Sequence, residues 1–124
     1  MPIFKKARKT ISLRILKASR KKTSPMLARA RSLKKEARNA KANARLAFQI
    51  GQGYDSTIQD YGRTMPKAGF VQDARARLRE MNSRQGNNER VFREKINAAD
   101  FLKAQALQKR ARAKRAAKFI AGKR

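Results

Sequence analysis

The sequence predicts an all-α, elongated protein with two long helices, one or two short helices, basic terminal arms and little independent core. Three observations lead to this fold class. Apolar residues recur at helical spacing along most of the chain, no pair of complementary strands is evident, and alanine supplies a large share of the 40% hydrophobic content. Because alanine buries little surface, we expect a thin core that becomes fully ordered only within an assembly.

The first long helix is predicted from about residue 25 to residue 50. Ser24 suits the N-cap, Pro25 suits the first helical position, and Gly51 suits a left-handed C-terminal cap. Apolar residues within this helix alternate at four- and three-residue spacing, the pattern of a helix that packs on another helix. The sequence leaves open whether the partner helix belongs to the same chain. This packing seam consists of Met26, Ala30, Leu33, Ala37, Ala40, Ala44 and Ala47.

A second long helix is predicted from residue 88 to about residue 121, because its apolar residues share one face and Gly122 follows. A shorter helix is predicted over residues 70–83, with a turn at 83–89 after it. Residues 51–69 hold four of the six glycines and are predicted to form a loop with a single helical turn.

Residues 5–22 fit two patterns. Ile11, Leu13 and Ile15 alternate as they would in a strand, whereas Ile11, Ile15 and Ala18 fit one face of a helix. We favour the helix because the chain offers no second strand to pair with this segment.

The charge of the chain is large and unevenly distributed. Its net value is +26, from 34 Lys and Arg against 8 Asp and Glu. Residues 1–35 hold thirteen of the basic residues and no acid, residues 36–102 hold twelve together with all eight acids, and residues 103–124 hold nine and no acid. This layout predicts three regions: a basic N-terminal arm (1–24), a helical body with a loop (25–102) and a basic C-terminal helical tail (103–124).

Such a charge predicts a polyanionic partner, because a compact domain with this charge repels itself strongly. Nucleic acid is favoured, with contacts to the phosphate backbone that do not depend on base sequence. The predicted contacts lie in the N-terminal region, in a cationic stripe beside the packing seam, and in the C-terminal tail. They are Lys5, Lys6, Arg8, Lys9, Arg14, Lys17, Arg20, Lys21 and Lys22, then Arg31, Lys34, Arg38, Lys41 and Arg45 in the stripe, then Lys109, Arg110, Arg112, Lys114, Arg115 and Lys118.

Contacts to bases are a weaker hypothesis. Arg75, Arg77 and Arg79 have the right chemistry to contact base edges, but their alternation spreads them around a helix, which favours phosphate contacts or solvent exposure. Tyr54 and Tyr61 have rings on which bases can stack, although packing within the protein is favoured for both.

Catalysis and metal binding are not predicted. The chain has no Cys and no His, which removes thiolate and imidazole ligands and the commonest general base. Asp55 and Asp60 match no recognised ligand spacing. We therefore expect no enzyme activity, no metal, no cofactor and no small-molecule substrate.

A membrane role is also disfavoured. No apolar run approaches the roughly 18–20 residues of a membrane span, and a helix face made mainly of alanine inserts poorly at a membrane surface. The N-terminus lacks the apolar stretch and cleavage pattern of a secretory signal, while its acid-free, amphipathic character is compatible with an organelle transit peptide.

These observations lead to the hypothesis of a structural nucleic-acid-binding protein that also contacts other protein subunits of a large assembly. A minor virion protein beneath a capsid, in contact with the packaged genome, is favoured. The alternatives are a lineage-specific ribosomal or other ribonucleoprotein component that binds structured RNA, and a capsid or connector protein with a genome-facing basic surface. The sequence does not distinguish DNA from RNA, and it places the protein inside such a particle or otherwise in the cytoplasm.

Overall fold

The structure is a computed structural model that describes residues 2–122, with side chains from residue 5 onward. Helix α1 spans Pro2–Tyr61 and helix α2 spans Gly69–Ile120. No strand occurs within residues 2–122. The predicted all-α fold with two long packed helices is confirmed.

Both helices are longer than predicted. Ser24 and Pro25, expected at a helix start, lie inside α1, and Gly51, expected at a C-terminal cap, is buried within the same helix. Residues 5–22 also belong to α1, so the helical interpretation of that segment is correct.

The four-and-three spacing explains why α1 is continuous. Buried and half-buried residues extend this spacing beyond the packing seam in both directions, and several of these positions are polar or glycine. Interhelical packing along this face outweighs the local cost of Pro25 and Gly51. The added positions are Ser12, Leu16, Ser19 and Thr23 before the packing seam, and Gly51, Tyr54 and Ile58 after it.

The predicted turn at residues 83–89 is wrong, because this segment and the predicted short helix over 70–83 both lie inside α2. Residues 2–122 therefore form no separate short helix. Arg84 donates to Glu80 at 2.6 Å and Gln85 donates to Glu89 at 3.2 Å. Side-chain pairs four residues apart stabilise a helix. These two pairs therefore favour the helix in a segment whose composition favours a turn.

The predicted loop over residues 51–69 is also shorter in the structure. Residues 51–61 complete α1, and the connection to α2 covers 62–68. The N–H of Gly62 donates to the carbonyl oxygen of Ile58 at 2.7 Å, and a Cβ at position 62 would collide with that oxygen. Glycine is therefore needed here for steric reasons. At the other end of α2, Gly122 has a φ of 75°, as expected for a residue that follows a helix end.

The chain divides into two compact units, and each unit contains one segment of α1 and one segment of α2. Unit 1 comprises Met1–Lys34 and Asn97–Arg124, and unit 2 comprises Lys35–Ile96.

The two segments of unit 1 run antiparallel. Ser12 Oγ donates to the carbonyl of Ala117 at 2.9 Å, and Arg110 Nε donates to Thr23 Oγ1 at 2.8 Å, so residue numbers fall along α2 as they rise along α1. The apolar core of this unit is small. It consists of Ala30, Leu33 and Ala99, with Leu102 packed against them.

Unit 2 has the same antiparallel arrangement. Glu36 Oε2 lies 3.0 Å from Lys95 Nζ, and the rings of Tyr61 and Phe70 meet edge to face at 5.4 Å beside the connection. Its buried apolar residues are Ala37, Ala40, Ala44, Ala47, Val71, Ala74 and Met81. In both units the packing seam therefore faces α2 of the same chain, with every member buried except the half-buried Met26.

Candidate nucleic-acid interface

The two units differ strongly in charge. Unit 1 includes 21 Lys and Arg residues and a single acidic residue, Asp100, which gives a net charge of +20. Unit 2 includes 13 basic and seven acidic residues, which gives +6. Asp100 can neutralise at most one of the 21 basic side chains. The other basic side chains therefore have no carboxylate side chain within unit 1 to neutralise them. Unit 1 therefore has the electrostatic character of a polyanion-binding surface.

Most of the predicted phosphate-contacting side chains in unit 1 are exposed, and only Lys34 and Arg110 are half-buried. Long basic side chains on a helix surface keep their charged ends in water and can reach an anion without rearrangement of the helices. The exposed members are Lys5, Lys6, Arg8, Lys9, Arg14, Lys17, Arg20, Lys21, Lys22, Arg31, Lys109, Arg112, Lys114, Arg115 and Lys118.

Four lysines surround one groove between the helices of unit 1. Lys5 and Lys9 lie one turn apart on α1, and Lys114 and Lys118 lie one turn apart on α2. The groove has a volume of about 550 Å³ and an apolar floor that includes Leu13 and Leu16. Because like charges around one groove repel each other, an anion bound there would relieve the repulsion. We call this feature the lysine groove.

A second groove of about 370 Å³ in unit 1 is lined by Lys22 on α1 and by Lys109 and Arg112 on α2. Its apolar lining includes Ile15 and Ala113. Both helices thus contribute cations to each groove, which the antiparallel pairing of the N-terminal and C-terminal segments makes possible.

Among the predicted phosphate-contacting residues, Arg110 differs most from the expected exposed position. It is half-buried, and its Nε donates to the buried hydroxyl of Thr23. Arg110 therefore joins the two helices of unit 1 as well as adding charge to it.

The predicted contacts in unit 2 are Arg38, Lys41 and Arg45, and all three are exposed. Other cations of this unit pair with carboxylates: Arg77 with Asp73 at 3.2 Å, Arg84 with Glu80 at 2.6 Å, and Lys95 with Glu36 at 3.0 Å. Part of the unit 2 charge is therefore offset internally.

The two tyrosines make contacts within unit 2. Tyr54 is half-buried, and its phenol beside Arg77, together with the charge of Asp73, raises the pKa of Arg77. Tyr61 packs against Phe70. A packing contact is therefore present for Tyr61, while base stacking by either ring stays a hypothesis.

Sequence reasoning missed an aromatic cleft of about 550 Å³ in unit 2. Phe48 on α1 and Phe92 on α2 line it, and Lys41 Nζ lies 5.4 Å from the centre of the Phe92 ring. The remaining lining side chains are polar or charged, apart from Ala44. They are Lys41, Arg45, Gln85, Glu89 and Arg93. One feature of the sequence indicates this cleft. Phe48 directly follows the packing-seam residue Ala47, and this position places the Phe48 ring at the edge of the helix contact.

Two further findings concern the described part of the chain. No three acidic side chains within it lie close enough together to hold a metal ion. Neither of its helices contains a stretch that is long and apolar enough to cross a membrane.

The fold and surface define a class: a two-helix, all-α protein with one strongly cationic unit. No protein-family model, curated protein or solved structure matches the chain.

Proposed function

We propose that this chain is a structural nucleic-acid-binding protein that neutralises phosphate backbones, irrespective of base sequence, inside a large assembly. The observation that supports this function best is the composition of unit 1, with 21 basic residues against one acid and most of the predicted contacts exposed. A charge of this size needs an external polyanion, and nucleic acid supplies phosphates at high density.

The spacing of the lysine groove suits a phosphate backbone. Lys5 and Lys9 are four residues apart, which is about 6 Å along a helix axis. Each strand of duplex DNA presents a phosphate every ~3.4 Å along its axis, so two such lysines span roughly two phosphates. Each contact releases condensed counterions, and binding should weaken steeply as salt is added.

The setting that we propose is the interior of a virion, where a packed genome needs neutralising cations and no base readout. Contacts with other protein subunits are proposed for unit 2, because its +6 charge repels a protein neighbour less than the +20 of unit 1.

The test is a binding titration with duplex DNA, duplex RNA and single strands of each, at about 50 and 200 mM salt. One variant replaces Lys5, Lys9, Lys114 and Lys118 with Gln. The matched control removes the same charge from unit 2 by replacing the exposed residues Lys35, Arg63, Lys67 and Arg90 with Gln. For duplex DNA we expect the first variant to lower the salt slope by about 3 to 4, since each lost phosphate contact removes about 0.9. The control should change it much less.

Three results would count against the proposal. Negligible binding at both salt concentrations would reject nucleic-acid binding and favour a shell or connector protein with a basic surface. Equal slopes for the two variants would reject unit 1 as the interface. A preference for structured RNA that persists at the higher salt would replace the virion setting with a ribonucleoprotein.

A further inference from the structure

We propose that the aromatic cleft of unit 2 binds an unpaired nucleobase from a single-stranded segment, with the adjacent phosphates held by Lys41, Arg45 and Arg93. This inference rests on the proposed function, because it assigns a second mode of contact with the same class of partner. The lysine groove would hold phosphates alone, whereas the cleft would hold a base together with its phosphates.

The aromatic rings provide the first argument. Phe48 lines the cleft and is 49% exposed, so its ring is accessible to a ligand. A partly exposed ring beside cations is the arrangement that proteins use to stack bases, and every base offers a π-face. The cleft volume of about 550 Å³ lies within the range of small-ligand sites.

The charges around the rings provide the second argument. Lys41 Nζ lies over the Phe92 ring at 5.4 Å, which places an ammonium group beside the position that a stacked base would occupy. Arg45 lies one helical turn further along α1, and Arg93 directly follows Phe92 on α2. A base that stacks on the exposed Phe48 ring would therefore bring its own phosphates toward cations from both helices. A peptide of Asp and Glu residues could satisfy the same cations, but these side chains have no aromatic group to place against Phe48.

Two polar side chains provide the third argument. Gln85 and Glu89 lie one turn apart on α2, joined by a 3.2 Å hydrogen bond from Nε2 to Oε1. A carboxylate in the cleft repels phosphate but accepts hydrogen bonds from the amino group of a base, as Glu does with the N4 group of cytosine. In a duplex, neighbouring base pairs cover the faces of each base, so a ring such as Phe48 can stack only on unpaired bases.

Phe48→Trp allows base stacking in the cleft to be measured by fluorescence, because the natural sequence contains no Trp and the new indole would be the sole Trp of the variant. We expect a single-stranded oligonucleotide to quench the fluorescence of this indole by stacking. An abasic oligomer with the same number of phosphates should bind without comparable quenching. Phe101→Trp is the control, since Phe101 is 63% exposed, lies in unit 1 and does not line the cleft.

Affinity gives an independent readout. Phe48→Ala should lower the affinity for single strands about tenfold, the scale of one base–aromatic stack, and leave binding of the abasic oligomer unchanged. Phe101→Ala should change neither, and thermal melting checks that both variants fold. If Phe48→Ala leaves single-strand affinity unchanged, or if the abasic oligomer quenches the indole equally, the base site is rejected while the proposed function stands. If neither oligomer binds, the base site is rejected, and the duplex titrations described above decide the proposed function separately.

Discussion

Arg110 donates a hydrogen bond from Nε to Oγ1 of Thr23 at 2.8 Å, and this contact joins α2 to α1 within unit 1. Thr23 is fully buried, and its hydroxyl donates in turn to the carbonyl of Ser19 at 2.8 Å. A hydroxyl has one proton and two lone pairs, so both bonds can form together. Polar side chains therefore help to fix the pairing of the two helices in the unit that carries most of the charge.

Thr23→Val should destabilise the protein by about 1.5–3 kcal/mol, the cost of removing the partner of a charged, half-buried group. Thr10→Val is the matched control. Thr10 Oγ1 makes the same kind of bond to the carbonyl of Lys6, at 2.9 Å, but it is exposed, and its loss should change stability by less than about 0.5 kcal/mol. Urea unfolding followed by circular dichroism measures both. Similar losses in the two variants would show that the Arg110 contact contributes nothing.

Ala40→Leu should destabilise unit 2 by about 1–3 kcal/mol, because Ala40 is 6% exposed in the packing seam and a larger side chain would force the helices apart. Ala42→Leu supplies the control from the exposed side of the same helix, where alanine and leucine have similar helix propensity. Melting temperatures of the two variants make the comparison. A neutral Ala40→Leu would mean that the packing seam is looser than its burial indicates.

The packing seam could be predicted because strict four-and-three spacing has one common cause, which is contact with another helix. The extent of the helices could not be predicted, since Pro25 is an ordinary signal for a helix start, and Gly51 and the segment at 83–89 are ordinary signals for a helix end or a turn. Their effect was outweighed by tertiary contacts that become visible only once α2 is in place. Local propensity therefore gave the wrong helix boundaries at those positions, whereas the periodicity of apolar residues correctly predicted the face that packs on α2.

The candidate interface was only partly predictable from the sequence, for a related reason. Charge counts identified the basic segments, but only antiparallel pairing shows that 1–34 and 97–124 form one unit. The aromatic cleft depends on the register that brings Phe48 near Phe92, and a row of alanines does not specify register in the sequence. The cleft is therefore evident only in the folded structure.

Gly62→Ala should cost more than about 1 kcal/mol, because a Cβ at this position would collide with the carbonyl oxygen of Ile58. Gly86→Ala is the contrasting substitution. Position 86 lies inside α2 with nothing within 4 Å of an added Cβ, so alanine should stabilise the helix by about 0.5–1 kcal/mol. Chemical unfolding of both variants should give shifts of opposite sign. Stabilisation by Gly62→Ala would show that the connection at 62–68 relaxes freely.

Glu89→Gln should change base preference in the aromatic cleft. The Glu89 carboxylate can accept from the amino group of cytosine, whereas thymine has no such group. The unmodified protein should therefore bind oligo(dC) more tightly than oligo(dT) of equal length, and Glu89→Gln should reduce that ratio while strengthening both interactions through the loss of a negative charge. Glu80→Gln removes the same charge at an exposed position of α2 that does not line the cleft, so it should strengthen both and keep the ratio. Competition titrations of the two oligonucleotides at one salt concentration measure the ratio directly. A ratio that responds equally to both substitutions would show that Glu89 acts only through net charge and does not contact the base.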